Sequence, residues 1–253
     1  REMLAVSTSY SDQVHIFDVS IQGLISSFGG GTLKYPHGIC YCSATQTIYV
    51  ADEGNSRVAA FSSNTFEFTG SFRAPGLSQP YGVAVTHDGK LLAVTDYDTN
   101  YCHVILLQGT LGESQKRATI CSLEFQGDSV RFPFTFYAPT GVAFAYQDSQ
   151  IIVSDMFEDR IVMFDAATLQ LLWERPVPRA LNPSSILVAG DKIFVMMSKR
   201  SGRFGTKCSI FEHPACPSDE VGDEWVLLRD DIDNEDEIGG LALWSDSDLA
   251  LIA

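Results

Sequence analysis

Histidine and cysteine side chains are the first candidates for metal binding or nucleophilic chemistry in this sequence. The five histidines are His15, His37, His87, His103 and His213, and the six cysteines are Cys40, Cys42, Cys102, Cys121, Cys208 and Cys216. They form no Cys-x-x-Cys pair and no Cys/His group at zinc-ligand spacing. No Gly-x-Ser-x-Gly, His-Glu-x-x-His, phosphate-loop or dinucleotide motif is present. The sequence therefore predicts no catalytic residue, no metal site and no cofactor.

The serine and cysteine residues give no indication of nucleophilic catalysis or of required disulfides. Ser7, Ser154 and Ser198 lie near strand ends without a recognisable base and orienting acid, and we assign them no role. Six cysteines permit three disulfides, but a chain of 253 residues has enough core to fold without them, and it has no Asn-x-Ser/Thr glycosylation site. The sequence does not identify the cellular compartment, but it favours a location inside the cell with reduced thiols.

Two short segments are candidates for partner binding. The first is the densest aromatic run, and the second is the only basic cluster, residues 199–207, which could bind an acidic ligand. Packing beneath a loop would explain the aromatic run equally, and a flexible hairpin would explain the basic cluster. The candidate residues are Phe132, Phe134, Phe136, Tyr137, Arg200 and Arg203.

The charge balance is strongly acidic. With 17 Lys and Arg against 32 Asp and Glu, the formal net charge is −15, which repels phosphate backbones. Residues 219–237 hold ten of the acids and only one cation, Arg229. This acidic stretch is a solvated loop, a cation site or a docking strip for a basic partner, and the sequence leaves these open. Nucleic acid, RNA included, is not an expected partner.

The length and composition predict one globular domain over residues 1–253. Apolar residues make up 45% of the chain, and no run approaches the roughly 20 apolar residues that cross a bilayer. The chain opens with Arg1 and not Met, and it stops within the apolar run 249–253, so it could be an excerpt of a longer protein.

One unit recurs along the chain. A Pro, any residue and a small residue lead into an apolar strand, a polar turn and a second apolar strand that often ends in an acid. A third strand follows, and fourth strands are predicted near 67–72, 122–125 and 169–174. The intervals show no sustained helical period, so the chain is predicted to be all-β. The small residues are Gly38, Gly82, Gly141, Ser185 and Gly240, with spacings of 44, 59, 44 and 55 residues.

This period is typical of a β-propeller with four-stranded blades. The N-terminal stretch supplies a second and a third strand without a first, and the C-terminus supplies a first and a second without the rest. We expect strands from both termini to close the ring. Strands 4–8 and 249–252 are both second strands and cannot share one blade, so six blades are preferred and five are the alternative.

The clearest copy, Tyr35-Pro36-His37-Gly38-Ile39 leading to residues 48–61, resembles the NHL repeat. The resemblance is partial over 79–107 and 138–164 and faint elsewhere, and it implies a six-bladed propeller. Independently, a carboxylate at the end of a second strand can accept turn N–H bonds and pair with the Arg that opens the third. We therefore predict that Asp52 with Arg57, and Asp155 with Arg160, are structural pairs.

The first strand of each propeller blade lines the central channel, so the residue after the Pro stands at the channel mouth. These channel-mouth candidates are His37, Tyr81, Thr140 and Ser184, with Gly239 in the last copy. NHL-like lyases hold zinc there with several histidines, and lactonase-type propellers hold calcium with converging Glu, Asn and Asp side chains. Here only His37 fits, and one imidazole cannot hold a catalytic zinc.

The resulting functional prediction is a non-enzymatic propeller that serves as a protein–protein interaction scaffold. It would bind other proteins through its channel faces and its long insertions, 108–138 and 212–237. The alternative is a metal-dependent hydrolase or lyase that uses the channel, with His37 and Tyr81. The partner's identity and the oligomeric state are not predicted.

Overall fold

The structure, a computed structural model, is built almost entirely from β-strands. In the part of the chain that it describes, the one helical turn is the 3₁₀ turn Glu53–Asn55, and no helix is long and apolar enough to cross a membrane. The described residues are 3–18, 20–21, 23–107, 117–120, 135–178, 181–190, 192–199, 206–214, 225–234, 240–243 and 249–252.

The strands form antiparallel sheets in chain order, each an up-and-down meander. Blade 1 has three strands, blades 2 to 5 have four each, and a two-stranded hairpin follows. Blade 1 is β1 (Met3–Thr8), β2 (Gln13–Asp18) and β3 (Gly23–Phe28). Blade 2 is β4 (Pro36–Cys42), β5 (Thr47–Asp52), β6 (Arg57–Ser62) and β7 (Phe68–Phe72). Blade 3 is β8 (Pro80–Val85), β9 (Leu91–Asp96), β10 (Tyr101–Leu106) and β11 (Arg117–Ile120). Blade 4 is β12 (Pro139–Ala145), β13 (Gln150–Asp155), β14 (Arg160–Asp165) and β15 (Leu171–Pro176). Blade 5 is β16 (Leu181–Ala189), β17 (Lys192–Lys199), β18 (Thr206–Pro214) and β19 (Val226–Asn234), and the hairpin is β20 (Gly240–Leu243) and β21 (Leu249–Ile252).

The core lies between the blades. Successive residues of a strand point to opposite faces of its sheet, and both faces of an inner blade are covered by a neighbour. In β5, Ile48 and Val50 pack against blade 1, whereas Tyr49 and Ala51 pack against blade 3. The same alternation links blade 3 to blade 4 and blade 4 to blade 5. Double-sided burial explains why the second strands are continuously apolar.

The small residue two positions after each Pro permits close packing of the inner strands around the channel. A Cβ added to Gly82 would lie 2.2 Å from the carbonyl oxygen of Thr140 in the next blade, and one added to Gly38 would lie 2.6 Å from that of Tyr81. Only glycine allows backbones to approach this closely. The Pro-x-Gly pattern is therefore a packing requirement of neighbouring β4, β8 and β12.

Two ends of the blades are distinguished by their residues. One end carries the prolines of the inner strands paired with the aspartates that end the second strands, as Pro36 with Asp52, Pro80 with Asp96, and Pro139 with Asp155. We call this end the Asp face and the other end the opposite face.

The preferred count of six blades is wrong, and the alternative of five is correct. Four blades are complete, blade 1 has three strands, and β20 and β21 supply only two more. The hairpin packs beside β16, and in the described residues no strand pairing joins it to blade 1. The C-terminal strands therefore do not amount to a further complete blade.

The fourth strand of blade 3 also differs from its prediction. The sequence placed it at 122–125, which lies outside the described residues, but Arg117–Ile120 is the strand that pairs with β10. The predicted fourth strands of blades 2 and 4 correspond to β7 and β15 within a few residues.

Candidate functional site

The turn that follows β5 is organised by the buried carboxylate of Asp52. One of its oxygens accepts the N–H of Lys34 at 2.7 Å, and the other accepts Nε of Arg57 at 2.7 Å. Arg57 also donates to the carbonyl oxygen of Thr32 at 2.7 Å. The pair thus joins the segment before β4 to the start of β6.

Blade 4 repeats this arrangement with Asp155. The carboxylate accepts the N–H of Tyr137 at 2.7 Å and Nε of Arg160 at 3.0 Å, while Arg160 donates to the carbonyl oxygen of Thr135 at 2.7 Å. Burial raises the pKa of Asp155 to about 6, against the opposing influence of the Tyr137 N–H and of Arg160.

Blade 3 has the aspartate without the arginine. Asp96 accepts the N–H groups of Ser78 at 2.6 Å and Gln79 at 3.0 Å, and Tyr101 occupies the position of the arginine. His103 Nε2 lies 3.8 Å from the carboxylate. Burial acts to raise the pKa of Asp96, but His103 and the backbone N–H groups outweigh it and lower the pKa to about 2.

Two channel-mouth residues meet on the Asp face. His37 Nε2 lies 2.5 Å from the Glu53 carboxylate, and the imidazole stacks on the Tyr81 ring with centroids 4.4 Å apart. The His37 and Glu53 side chains are 24% and 26% exposed, so solvent reaches the pair. This is the one place where the structure combines a channel-mouth candidate with a carboxylate among the described residues.

The other two channel-mouth residues are tied to neighbouring strands. Thr140 is 2% exposed, and its hydroxyl lies 3.0 Å from that of Ser154. The Ser184 hydroxyl donates to the carbonyl oxygen of Met196 at 3.1 Å. Among the described residues, no group of three or more His, Cys, Asp or Glu side chains is arranged to hold a metal ion.

Hydroxyl groups one residue before the aspartate link successive blades, which the sequence analysis missed. Thr95 accepts the N–H of Gly82 at 2.8 Å and donates to the carbonyl oxygen of Thr140 at 2.6 Å. Ser154 likewise accepts the N–H of Gly141 at 2.7 Å and donates to the carbonyl oxygen of Ser184 at 3.3 Å. The missed signal was the shared repeat position of these two residues, the last before the acid.

Blade 1 carries the same link through Ser7, whose hydroxyl donates to the carbonyl oxygen of His37. Each of the three carbonyl groups thus belongs to a channel-mouth residue of the following blade. Because Ser7 occupies the position of Thr95, β1 is a second strand, as the sequence predicted, and among the described residues no inner strand pairs with it.

The partner-binding candidates separate into three groups. Tyr137 is 55% exposed on the Asp face, next to Phe157 at 5.3 Å between ring centroids. Phe136 is 2% exposed and packs edge-on against Phe164 in the core between blades 3 and 4, which agrees at this residue with the alternative that the aromatic run packs inward. Phe132, Phe134, Arg200 and Arg203 lie outside the described residues.

Cys40, Cys42 and Cys102 are free thiols. Cys42 and Cys102 are buried, and Cys40 packs against the same cluster as Cys42, so they behave as small apolar side chains. Burial raises the pKa of Cys40, and it raises the pKa of Cys102 to about 12. Neither thiol is ionised near neutral pH, which disfavours nucleophilic chemistry at these positions.

A cleft of about 700 Å³ opens on the opposite face between blades 3 and 4. His87 Nδ1 lies 3.0 Å from the Asp148 carboxylate at its edge, and Asp148 also accepts the His87 N–H at 2.7 Å. The His87 side chain is 90% exposed. The cleft is separated from the channel-mouth residues by the length of the strands.

Several solved structures are similar to this chain. Hydrazine synthase of Kuenenia stuttgartiensis is 15% identical with a TM-score of 0.65, and the match covers 90% of this chain and 62% of that one. The Cps50 (Swd1) β-propeller domain of Myceliophteria thermophila is 11% identical with a TM-score of 0.61, covering 91% and 73%. A chain of the Mitotic Checkpoint Complex is 14% identical with a TM-score of 0.62, covering 99% and 70%. At these identities the likeness shows the fold alone.

Sequence matches cover less of the chain than the structural matches do. No curated protein matches it. The family model for the NHL repeat matches residues 33–61, which span β4, β5 and β6 together with the Asp52–Arg57 pair. Residues 33–61 are therefore an NHL repeat, and the chain that contains them is an all-β β-propeller with four-stranded blades.

Proposed function

We propose that this chain is a non-enzymatic protein–protein interaction scaffold. The observation that carries the proposal is a set of exposed aromatic side chains on the Asp face: Tyr10 (93% exposed), Tyr35 (50%), Tyr137 (55%) and Phe157 (39%). Large exposed aromatic residues grouped on one surface are typical of protein-binding sites, where they supply most of the binding energy.

The same proposal gives the site residues structural or surface roles. The pairs Asp52–Arg57 and Asp155–Arg160 hold the turns that carry Tyr35, Tyr137 and Phe157, and the channel-mouth residues His37 and Tyr81 contribute to the rim of the Asp face. The ranges predicted as long insertions, 108–138 and 212–237, each contain a blade strand, β11 and β19. Only their remaining residues would add partner contacts, and most of these lie outside the described residues. One of the similar propellers was solved in the Mitotic Checkpoint Complex, which is consistent with a role in protein assembly.

Capture of partners with matched variants tests the proposal. The tagged chain is compared with a variant in which the four exposed rings are replaced by alanine, in extracts of the source cell at physiological salt. The control replaces four exposed apolar residues away from the Asp face: Leu24, Tyr41, Leu171 and Leu172. We expect a stoichiometric protein partner with the wild type and the control, lost from the Asp-face variant. Absence of any such partner would overturn the scaffold function.

A metal-dependent propeller hydrolase or lyase is the second candidate. The observation in its favour is the His37–Glu53 pair, two possible metal ligands at the channel mouth. Metal analysis of the purified protein tests it. Stoichiometric zinc or calcium that is lost on His37→Ala, with the fold intact by circular dichroism, would establish this function over the scaffold.

The proposed scaffold also includes closure of the ring by strands from both termini. β20 packs beside β16 as β16 packs beside β12, which supports a position for β20 next in the series of inner strands. Because β20 already pairs with β21, closure would bring this hairpin as a unit beside blade 1. Distance measurement between spin labels on β1 and on the hairpin tests closure, because a closed ring brings the two ends of the chain together. A long and broad distance distribution would contradict it.

A further inference from the structure

Five rings form a continuous row across blades 2, 3 and 4 on the Asp face. Ring centroids are 4.4 Å apart for the stacked pair His37 and Tyr81, 5.9 Å for Tyr81 and Tyr97, and 6.3 Å for Tyr97 and Phe157. Tyr137 completes the row, 5.3 Å from Phe157. We call these five residues the aromatic row. Neighbouring rings are inclined to one another by 21° to 63°, so the row is a series of adjacent aromatic rings with different orientations.

The buried carboxylates fix the row in place. Tyr97 follows Asp96 directly, and Phe157 lies two residues after Asp155. Tyr137 donates its backbone N–H to Asp155 at 2.7 Å, and the N–H of Phe157 donates to the carbonyl oxygen of Tyr137 at 3.1 Å. A surface held by these bonds loses little conformational entropy on binding, which favours affinity.

Negative charge flanks the row. The turns that carry the rings also hold Glu53, Asp98, Glu158 and Asp159, and Asp98 and Glu158 are exposed. Arg57 is paired with buried Asp52, and Arg160 is shared between buried Asp155 and Glu174 of β15. Further cations near these turns include Lys34, 5.9 Å above the Tyr35 ring, and Arg73, which donates to the carbonyl oxygen of Ser56 at 3.3 Å. The surroundings of the row are therefore net acidic.

We infer that the aromatic row and its flanking carboxylates bind a basic, Arg- or Lys-rich peptide segment of a protein partner. Cations bind the faces of aromatic rings and gain further from carboxylates beside them. The chain's formal charge of −15 opposes nucleic acid, an acidic peptide or a second copy at this surface. The inference rests on the proposed scaffold function and names the chemistry of the partner.

A labelled peptide of alternating arginine and glycine tests this inference by fluorescence anisotropy. About nine residues suffice, because an extended peptide of that length spans roughly 30 Å. Titrations at about 150 mM salt suppress long-range attraction to the acidic chain. One variant, Tyr97→Ala with Phe157→Ala, removes two rings, and a second, Asp98→Asn with Glu158→Gln, removes two charges.

Matched controls separate a local site from general acidity. Glu67→Gln with Asp88→Asn removes two carboxylates from the opposite face, and a glutamate–glycine peptide replaces the probe. We expect each Asp-face variant to weaken binding of the arginine peptide by roughly tenfold, because one removes two ring–cation contacts and the other removes two carboxylates beside them. The opposite-face control should change it by less than about twofold, and the acidic peptide should not bind.

Two outcomes would overturn the inference. One is that the Asp-face and opposite-face charge variants weaken binding of the arginine peptide equally. The other is that Tyr97→Ala with Phe157→Ala binds the peptide with wild-type affinity. Failure of the basic-peptide inference is distinguishable from failure of the proposed scaffold function. If the captured partner is still retained by the wild-type chain while the arginine peptide binds without dependence on the row, the scaffold stands and the basic-peptide site does not.

Discussion

Thr95 donates its hydroxyl to the carbonyl oxygen of Thr140 at 2.6 Å, and this bond joins the second strand of blade 3 to the inner strand of blade 4. The same hydroxyl accepts the N–H of Gly82 at 2.8 Å, in the irregular register between Pro80 and Val83. One side chain thus satisfies a backbone donor of its own blade and a backbone acceptor of the next. Ser154 repeats the arrangement one blade later.

Thr95→Val should destabilise the protein by about 1–3 kcal/mol, because it keeps the side-chain shape but leaves a buried N–H group and a carbonyl group without their partner. Thr95→Ser keeps the hydroxyl and should cost less, about 1 kcal/mol for the lost methyl group. Urea unfolding followed by tryptophan fluorescence measures both. Equal losses in the two variants would show that the inter-blade bond does not stabilise the fold.

Blade 2 lacks this hydroxyl, because Ala51 stands where Thr95 and Ser154 stand. Ala51 is fully buried on the side that faces blade 3, and the repeat predicts the carbonyl oxygen of Tyr81 as the acceptor for a hydroxyl at this position. Ala51→Ser should therefore stabilise the protein by about 0.5–1.5 kcal/mol through a new inter-blade hydrogen bond.

Ala93→Ser is the matched control for this stabilisation. Ala93 is equally buried, within the apolar cluster between blades 3 and 4, where a hydroxyl meets apolar neighbours. It should destabilise the protein by about 1–3 kcal/mol. If Ala51→Ser loses as much stability as Ala93→Ser, blade 2 does not place a backbone acceptor where blades 3 and 4 do.

The sequence predicts strand pairs well and contacts between blades poorly. Inner and second strands follow from the repeat, since Pro36 to Asp52 and its copies combine turn residues with apolar runs. The aromatic row is different. His37 and Tyr81 share a repeat position, but Tyr97 and Phe157 do not, and only the packing of blades brings them together. Repeat position alone could have revealed the hydroxyl links.

The burial of Phe136 likewise depends on three-dimensional packing. Phe136 and Tyr137 are neighbours in one aromatic run, and alternation along an extended chain sends one ring inward and the next outward. Composition identifies the run as aromatic but does not say which ring is buried. The turn bond from Tyr137 to Asp155, which fixes the alternation, is visible only in three dimensions.

Two aspartates of the Asp face should affect stability in opposite directions as pH changes. The pKa of Asp155 is raised from 3.8 to about 6, so the folded state holds its proton more tightly than the unfolded chain. Its favourable contribution is complete below pH 3.8 and is lost as the pH rises through 6. The free energy of unfolding of the wild type minus that of Asp155→Asn should therefore fall between about pH 4 and pH 6.

Asp96→Asn provides the contrasting comparison. The pKa of Asp96 is lowered to about 2, so its contribution is present above pH 3.8 and is lost as the pH falls through 2. The free energy of unfolding of the wild type minus that of Asp96→Asn should stay constant between pH 4 and 6. Urea titrations at several pH values measure both differences. If the difference in the free energy of unfolding between the wild type and Asp155→Asn rises with pH, the raised pKa of Asp155 is refuted.

Gly82→Ala should destabilise the protein more than any other substitution proposed here. The new Cβ would lie 2.2 Å from the carbonyl oxygen of Thr140 and 2.9 Å from the hydroxyl of Thr95, so two inner strands must separate and the Thr95 bonds must lengthen. Crowding of this kind costs about 1–3 kcal/mol, with the lost hydrogen bonds in addition. Gly23→Ala is the control, because its Cβ would meet only Ile21 at ordinary contact distances of 3.4 Å and more. Thermal unfolding by circular dichroism compares them, and a Gly82→Ala midpoint near that of the control would mean that the inner strands are not packed as tightly as the channel requires.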